Sequence, residues 1–186
     1  MVLAKSMESL MEGNSVIRKM FELGREMAKK YGKDAVYDFS LGNPVAEVPY
    51  EVKNAIISLL ENQDPHEIHG YMKNAGFEDV RTAVAEHLNQ RFGQSYSKEN
   101  ILLCTGAAGG LNVLMRCLLD EEDEVLCFAP YFTEYKSYVS HYKGKLTVIP
   151  VKENDFSLNV EEAEKRIGRR TKAVILNNPN NPSGII

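Results

Sequence analysis

Little in the 186-residue sequence is extreme, and what it lacks excludes whole classes of protein. Its three cysteines, Cys104, Cys117 and Cys127, are odd in number, sit in apolar segments and form no C-x-x-C pair. That excludes a disulfide framework, and the three are expected to be buried thiols in a reducing cytoplasm. Neither sign of charge dominates: 22 Lys+Arg stand against 26 Asp+Glu, a balance of −4. Such a balance leaves no electrostatic footprint for nucleic acid or an anionic membrane, although local groups can still hold a small anion. No apolar run approaches the ~18 residues of a membrane helix. The opening MVLAKSMESLMEGNS has acids where a signal peptide has its apolar core. Internal repeats, low-complexity tracts and Gly/Ser linkers are lacking too. What remains is an ordinary globular composition, 44% hydrophobic and 26% charged, which excludes disordered and fibrous classes. The length suits one domain or slightly more.

The patterning resolves into two parts. Ser15 to Tyr31 reads as a helix capped by Ser15 and ended by Gly32, with Val16, Ile17, Met20, Phe21, Met27 and Ala28 on one stripe. Val36 to Leu41 is strand-like and closes at Gly42-Asn43-Pro44. Pro49 opens a helix with Val52, Ala55, Ile56, Leu59 and Leu60 as the expected buried face. A polar loop over 62–76 leads to a helix from Phe77 to Phe92, with Val80, Val84 and Leu88 inward. From residue 100 strands and helices alternate. Strands are expected at Ile101–Cys104, Glu124–Phe128, Leu146–Val151 and Lys172–Asn177, and helices at Leu111–Leu119, Pro130–Tyr142 and Val160–Ile167. Apolar runs without alternation, separated by helices, indicate strands buried on both faces and hence an α/β fold with a parallel sheet. A boundary is expected near residue 48, dividing a 1–48 arm from a 49–186 α/β body.

In such a sheet, ligands bind beyond the carboxyl ends of the strands. Three loops there draw interest. Thr105-Gly106-Ala107-Ala108-Gly109-Gly110 puts small residues at a helix start, where free amides and the helix dipole suit a phosphate. The same residues would also serve as a tight turn with no ligand. They match neither G-x-G-x-x-G nor G-x-x-x-x-G-K-[ST], so the usual nicotinamide and nucleoside-triphosphate fingerprints are missing. Ala129-Pro130-Tyr131-Phe132 offers an aromatic face for a planar ring, or simply core. The run from Asn177 to Gly184 holds four asparagines and two prolines, which fix an extended or turn shape. Its amides could donate to a ring oxygen or a carboxylate, or could line a polar surface turn. His66 and His69 lack partners at metal spacing, His87 and His141 read as helix-surface residues, and no G-x-S-x-G elbow is present. The acidic turn Glu121–Glu124 and the basic residues Arg166, Arg169 and Arg170 read as solvated charge.

Taken together, the loops resemble the class I/II aminotransferases, pyridoxal-phosphate enzymes of fold type I, and are aspartate-aminotransferase-like. The resemblance runs from about Asp38 to Ile186. It rests on Leu41-Gly42-Asn43-Pro44, Gly70-Tyr71 with Gly76 after it, Thr105-Gly106-Ala107-Ala108 and, most specifically, Asn177 to Gly184. It implies a partial large domain, a mainly parallel sheet flanked by helices in three layers, preceded by a small-domain segment. It also implies that the amides of Gly106, Ala107 and Ala108 hold the cofactor phosphate and that Phe132 stacks on the pyridine ring. Asn181, before a cis proline, would donate to the ring 3-hydroxyl oxygen and help seat the substrate carboxylate. Gly42 would line the carboxylate pocket, and Tyr71 would reach the phosphate of a neighbouring subunit in a homodimer with shared sites. The implied reaction moves an amino group between an amino acid and a 2-oxo acid, with aspartate no more than one candidate.

The same resemblance expects the Schiff-base lysine, the acid that protonates the pyridine nitrogen and the arginine that clamps the substrate all beyond Ile186. Neither Lys136 nor Lys172 fits the lysine's role. The expectation is therefore the N-terminal half of an aminotransferase, inactive alone. Two alternatives share the pattern: a β-eliminating C–S lyase of the same fold and cofactor, and a non-catalytic α/β association module.

Overall fold

The computed structural model describes residues 16–39, 42, 46–152 and 155–186. The chain divides into two compact units, Met1–Gly70 and Tyr71–Ile186. The boundary expected near residue 48 thus lies inside the first unit.

The first unit is helical. Its first helix, α1 (Val16–Tyr31), carries Lys29 and Lys30 in its last turn, where cations meet the negative end of the helix dipole. A 3₁₀ turn (Lys33–Ala35) follows, then α2 (Tyr50–Asn62) and the short α3 (Pro65–His69). Asp64 caps α3 by accepting the His66 N–H at 2.8 Å, with Pro65 at the first helical position. The helices lie where the apolar spacing puts them, but the expected burial does not hold. No residue of α2 is buried, and Val52, Ala55, Ile56, Leu59 and Leu60 are all exposed. An apolar stripe is covered only by a second packed element, and the described residues of this unit supply none over α2. The strand expected from Val36 carries no ladder over 36–39. Ser40, Leu41, Asn43, Pro44, Ser15 and the side chains of Val16 and Ile17 lie outside the described residues.

The second unit holds the α/β body. Its strands β1 (Glu124–Phe128), β2 (Lys145–Ile149) and β3 (Thr171–Ile175) form a parallel sheet in the order β2-β1-β3. Against β2 the register runs from Glu124↔Lys145 to Phe128↔Ile149; against β3 it slips once, between Glu124 and Val125. The helices are α4 (Glu78–Phe92), α5 (Gly106–Leu118), α6 (Glu134–Ser140) and α7 (Val160–Arg166). On one face Val125 packs with Met115 and Leu119 at the end of α5 and with Val139 of α6. On the other, Leu126 and Ile149 pack on Ala163 of α7. Helices on both faces explain why Val125, Leu126 and Cys127 form an unbroken apolar run, each at most 1% exposed. The three-layer arrangement is the one expected.

Three element expectations in this unit need correction, the first being that α5 begins at Gly106 rather than Leu111, so that most of the expected turn is helical. Ile101–Cys104 is not a strand, because its backbone groups are taken up locally. The Arg81 guanidinium donates to the Ile101 carbonyl at 2.8 Å, and the Leu103 N–H to Ala75 O at 3.0 Å, so no ladder forms. Gly76, at φ +98°, allows this approach: a Cβ there would stand 2.6 Å from Leu103 Cδ1. Helix α6 starts at Glu134, not Pro130, which leaves Pro130–Thr133 as a loop at the carboxyl end of β1.

The cysteines differ from expectation as well. Cys127 is buried, but Cys104 and Cys117 are exposed. Cys104 lies in the irregular run before α5, and Cys117 lies off the Leu111–Met115–Leu119 stripe that faces the sheet. Burial pushes the Cys127 thiol up to about 11, so it stays protonated near neutrality. In the folded protein a thiol reagent is expected to modify Cys104 and Cys117 promptly and Cys127 only after denaturation. Mass spectrometry of the labelled peptides checks this.

Candidate functional site

The loop after Cys104 becomes the first turn of α5. Gly106 turns the chain at φ +69°, with no heavy atom within 4 Å of the place a Cβ would occupy. Its N–H closes a tight turn onto the Cys104 carbonyl at 3.0 Å. Of the three amides expected to hold a phosphate, this leaves those of Ala107 and Ala108. Both belong to the first turn, where helix geometry provides no acceptor. They stand at the positive end of a 13-residue helix whose N-cap, Thr105, makes no side-chain hydrogen bond there. Free amides, a dipole end and methyl-sized side chains are a donor set that fits a phosphate dianion.

The other two loops meet. Asn180 Nδ2 donates to Pro130 O at 3.0 Å and to Ser183 Oγ at 2.8 Å. Within the second loop the Asn180 N–H donates to Ile185 O at 2.8 Å, and the Gly184 N–H to Asn180 O at 2.7 Å. The Asn177 amide, oriented by its partners, accepts the Asn181 N–H at 2.9 Å and donates to Pro179 O at 3.2 Å. Asn181–Pro182 is cis, as are Asn178–Pro179 and Ala129–Pro130. Across the junction, Tyr135 of α6 anchors both aromatics of the first loop. Phe132 meets it edge-on with ring centres 5.7 Å apart, and Tyr131 stacks on it at 6.4 Å. Burial, with Cys127 and Tyr138 nearby, raises the Tyr135 hydroxyl above its ordinary pKa, so the ring acts as a neutral wall.

Between these loops and the sheet edge lies a cavity of about 480 Å³, walled by Phe128, Tyr131, Tyr135, Leu158, Asn177 and Asn180 among others. Phe132 and Asn181, the residues singled out from sequence, lie outside this wall, and Asn181 is exposed. Asp155 sits at its margin, where the Ser157 side chain and then the Ser157 N–H, donating at 2.9 Å, hold its carboxyl below the usual range.

Tyr71 is fully exposed at the start of the second unit. Its segment is tied down by Glu78, which pairs with Lys73 and, at 2.8 Å, with Lys98. The hydrogen bonds from Lys73 and then Lys98 hold the Glu78 carboxyl down at about 2. A depressed carboxyl pKa stabilises the fold above the unfolded value and ceases to do so as pH falls through the folded one. The protection of amides over residues 73–78, relative to the unstructured rate at each pH, is therefore expected to fall between about pH 4.5 and pH 2. Glu78→Gln is expected to remove that pH dependence, as exchange measurements on both proteins would show.

Gly42, in the first unit, is exposed with open space beside its Cα. His66 and His69 are exposed, and the described residues hold no group of three metal-ligating side chains. Arg166 does more than sit in solvent: it pairs with Glu162 at 2.8 Å and donates to Val148 O at 3.1 Å, fixing α7 to β2. Sequence reasoning missed Asn180, the Asn177 side chain and Tyr135. The density of asparagine in the last loop pointed at the first two. Nothing in the sequence pointed to a contact between residues 50 positions apart.

Residues 34–186 match the model of the family described as aminotransferase class I and II. A probable aspartate/prephenate aminotransferase of Aquifex aeolicus is 32% identical over 152 residues, 81% of this chain and 38% of that protein. Aromatic-amino-acid aminotransferase 2 of Thermococcus litoralis is 30% identical over 174 residues, 92% of this chain and 42% of that one. Among solved structures, an amino transferase from Eubacterium rectale superposes with a TM-score of 0.92 at 38% identity, covering 98% of this chain and 46% of that one. The chain thus spans about two-fifths of the length of the curated relatives it matches. The phosphate-suited helix start and the asparagine loop clasped to an aromatic loop both lie within the matched residues 34–186, and the chain belongs to the class I and II aminotransferases.

Proposed function

We propose that this chain is the cofactor-cradling part of a pyridoxal-phosphate-dependent aminotransferase, which moves an amino group between an amino acid and a 2-oxo acid. The observation that supports this most is the Asn180 bond that joins the loop bearing Phe132 to the loop bearing Asn181; the first turn of α5 adds amides with no acceptor inside the helix. Gly106 shapes the cradle while the amides of Ala107 and Ala108 hold the phosphate. Phe132 covers one face of the pyridine ring, and Asn181 donates to the ring's 3-hydroxyl oxygen and helps orient the substrate carboxylate. Gly42 leaves room for that carboxylate. Tyr71, with its ring in solvent, reaches the phosphate of a second subunit, so the working form is a homodimer with shared sites. When bound, the cofactor supplies the electron sink; these residues orient it and hold its charges.

The lysine that carries the cofactor is not among these residues. Lys172 pairs with Asp123 at 3.6 Å, at the amino ends of the strands, away from the loops. Lys136 is exposed on α6. The three unpaired thiols fit a reducing cytoplasm, and no helix among the described residues is long and apolar enough to cross a membrane. The test supplies an amino acid with and without a 2-oxo acid and follows both keto and amino products. The 186 residues alone are expected to give no turnover, and the enzyme that contains them is expected to need the acceptor. Turnover by the 186 residues would contradict the assignment of the lysine. Ammonia release without acceptor by the whole enzyme would replace transfer with elimination.

A further inference from the structure

We propose that Asn180 is a positioning residue that sets the distance between the aromatic and the amide contacts of the cofactor ring. This rests on the cofactor reading above. Its side chain spends both amide hydrogens on a single junction, one on Pro130 O at 3.0 Å and one on Ser183 Oγ at 2.8 Å. The first bond crosses from the loop after β3 to the loop after β1; the second closes Asn180's own loop. Pro130 lies two residues before Phe132, and Asn180 immediately precedes Asn181. Ring face and ring edge are therefore held by two loops that this amide pins together. Backbone bonds at the same residue, to Ile185 O and from Gly184 N–H, stiffen the second loop around the pin. Asn181 itself is exposed, and its backbone N–H leans on Asn177. Its aim therefore depends on neighbours, and Asn180 supplies the link to the aromatic side. Asn180 touches neither cofactor nor substrate in this account and acts only through Asn181 and Phe132.

The variant Asn180→Asp keeps the shape and removes both donors, setting a carboxylate oxygen against the Pro130 carbonyl. In cofactor-free protein, amide exchange over residues 129–135 and 177–186 is expected to rise together in this variant, by roughly tenfold for two lost hydrogen bonds. In the loaded enzyme, pyridoxal-phosphate affinity is expected to fall by a similar roughly tenfold factor. The pH midpoint of the cofactor absorbance is expected to move towards that of Asn181→Ala. In an Asn181→Ala background, Asn180→Asp should shift that midpoint no further, which a merely structural residue would not produce. Exchange that rises in one loop only, or an unchanged midpoint, would overturn the proposal, as would two independent shifts that simply add. Should Asn180→Asp fail to fold, Asn180→Ala under the same readouts decides instead. Should the unaltered enzyme take up no pyridoxal phosphate, the cofactor reading fails and the positioning role with it, while the exchange comparison still reports whether the pin exists.

Discussion

Leu126→Ala is expected to lower the unfolding free energy by about 3 kcal/mol, within the range for truncating a fully buried leucine. Leu126 has no exposed surface and stands at the centre of β1, the strand flanked on both sides. It packs on Ile149 of β2 and Ala163 of α7, with Phe128 beside them. A cavity there cannot collapse easily, because the ladder fixes the strand and Arg166 fixes α7 to the Val148 carbonyl. Denaturant titration should show a lower midpoint with an unchanged slope, the mark of altered stability alone. Leu126→Met, close in volume, should cost less than about 1.5 kcal/mol. Equal effects of the two would mean that the α7 layer does not pack as described.

Ala107→Asp is expected to act with opposite signs on folding and on binding. A carboxylate in the first turn of α5 meets the positive end of the helix dipole, so the cofactor-free protein should gain a few tenths of a kcal/mol, up to about 1. The same charge stands where the phosphate is proposed to sit. Two like charges about 4 Å apart repel by about 4 kcal/mol at the effective dielectric of a protein surface. With about 1.4 kcal/mol per factor of ten, affinity for pyridoxal phosphate should fall by on the order of a hundredfold or more. Thermal denaturation and a fluorescence titration on one preparation separate the two effects. A fall in stability with no change in affinity would remove the phosphate from this helix start.

The sequence was most informative where chemistry is local. Glu124–Phe128 reads as a strand covered on both faces because Val125, Leu126 and Cys127 leave no polar side, and the structure shows helices on both. Thr105–Gly110 marks the approach to a helix in the sequence, but as a turn ahead of Leu111; the helix begins at Gly106, and the bond from the Gly106 amide to Cys104 is not visible in the sequence. The misreadings concern partnership. Ile101–Cys104 has the composition of a strand, but a strand needs a neighbour, and here Arg81 and Ala75 satisfy its backbone instead. The stripe of α2 has helical spacing, but spacing cannot say what lies against it. Cys117 looked buried because its neighbours are apolar, yet it lies off the face that meets the sheet. At the candidate site, the asparagine run draws attention to its loop, whereas the residue that joins that loop to the aromatics, Asn180, emerges only when Pro130 is brought within 3.0 Å.

One comparison tests the helix start as a phosphate cradle directly: the affinity of the protein for pyridoxal phosphate against that for pyridoxal. The two share the ring and the aldehyde and differ only in the phosphate. A phosphate cradle there requires the phosphate form to bind more tightly by on the order of a hundredfold, through charge-assisted bonds from first-turn amides. It also requires Ala107→Asp to abolish most of that preference. Equal affinities for the two forms, or a preference that survives Ala107→Asp intact, would contradict it.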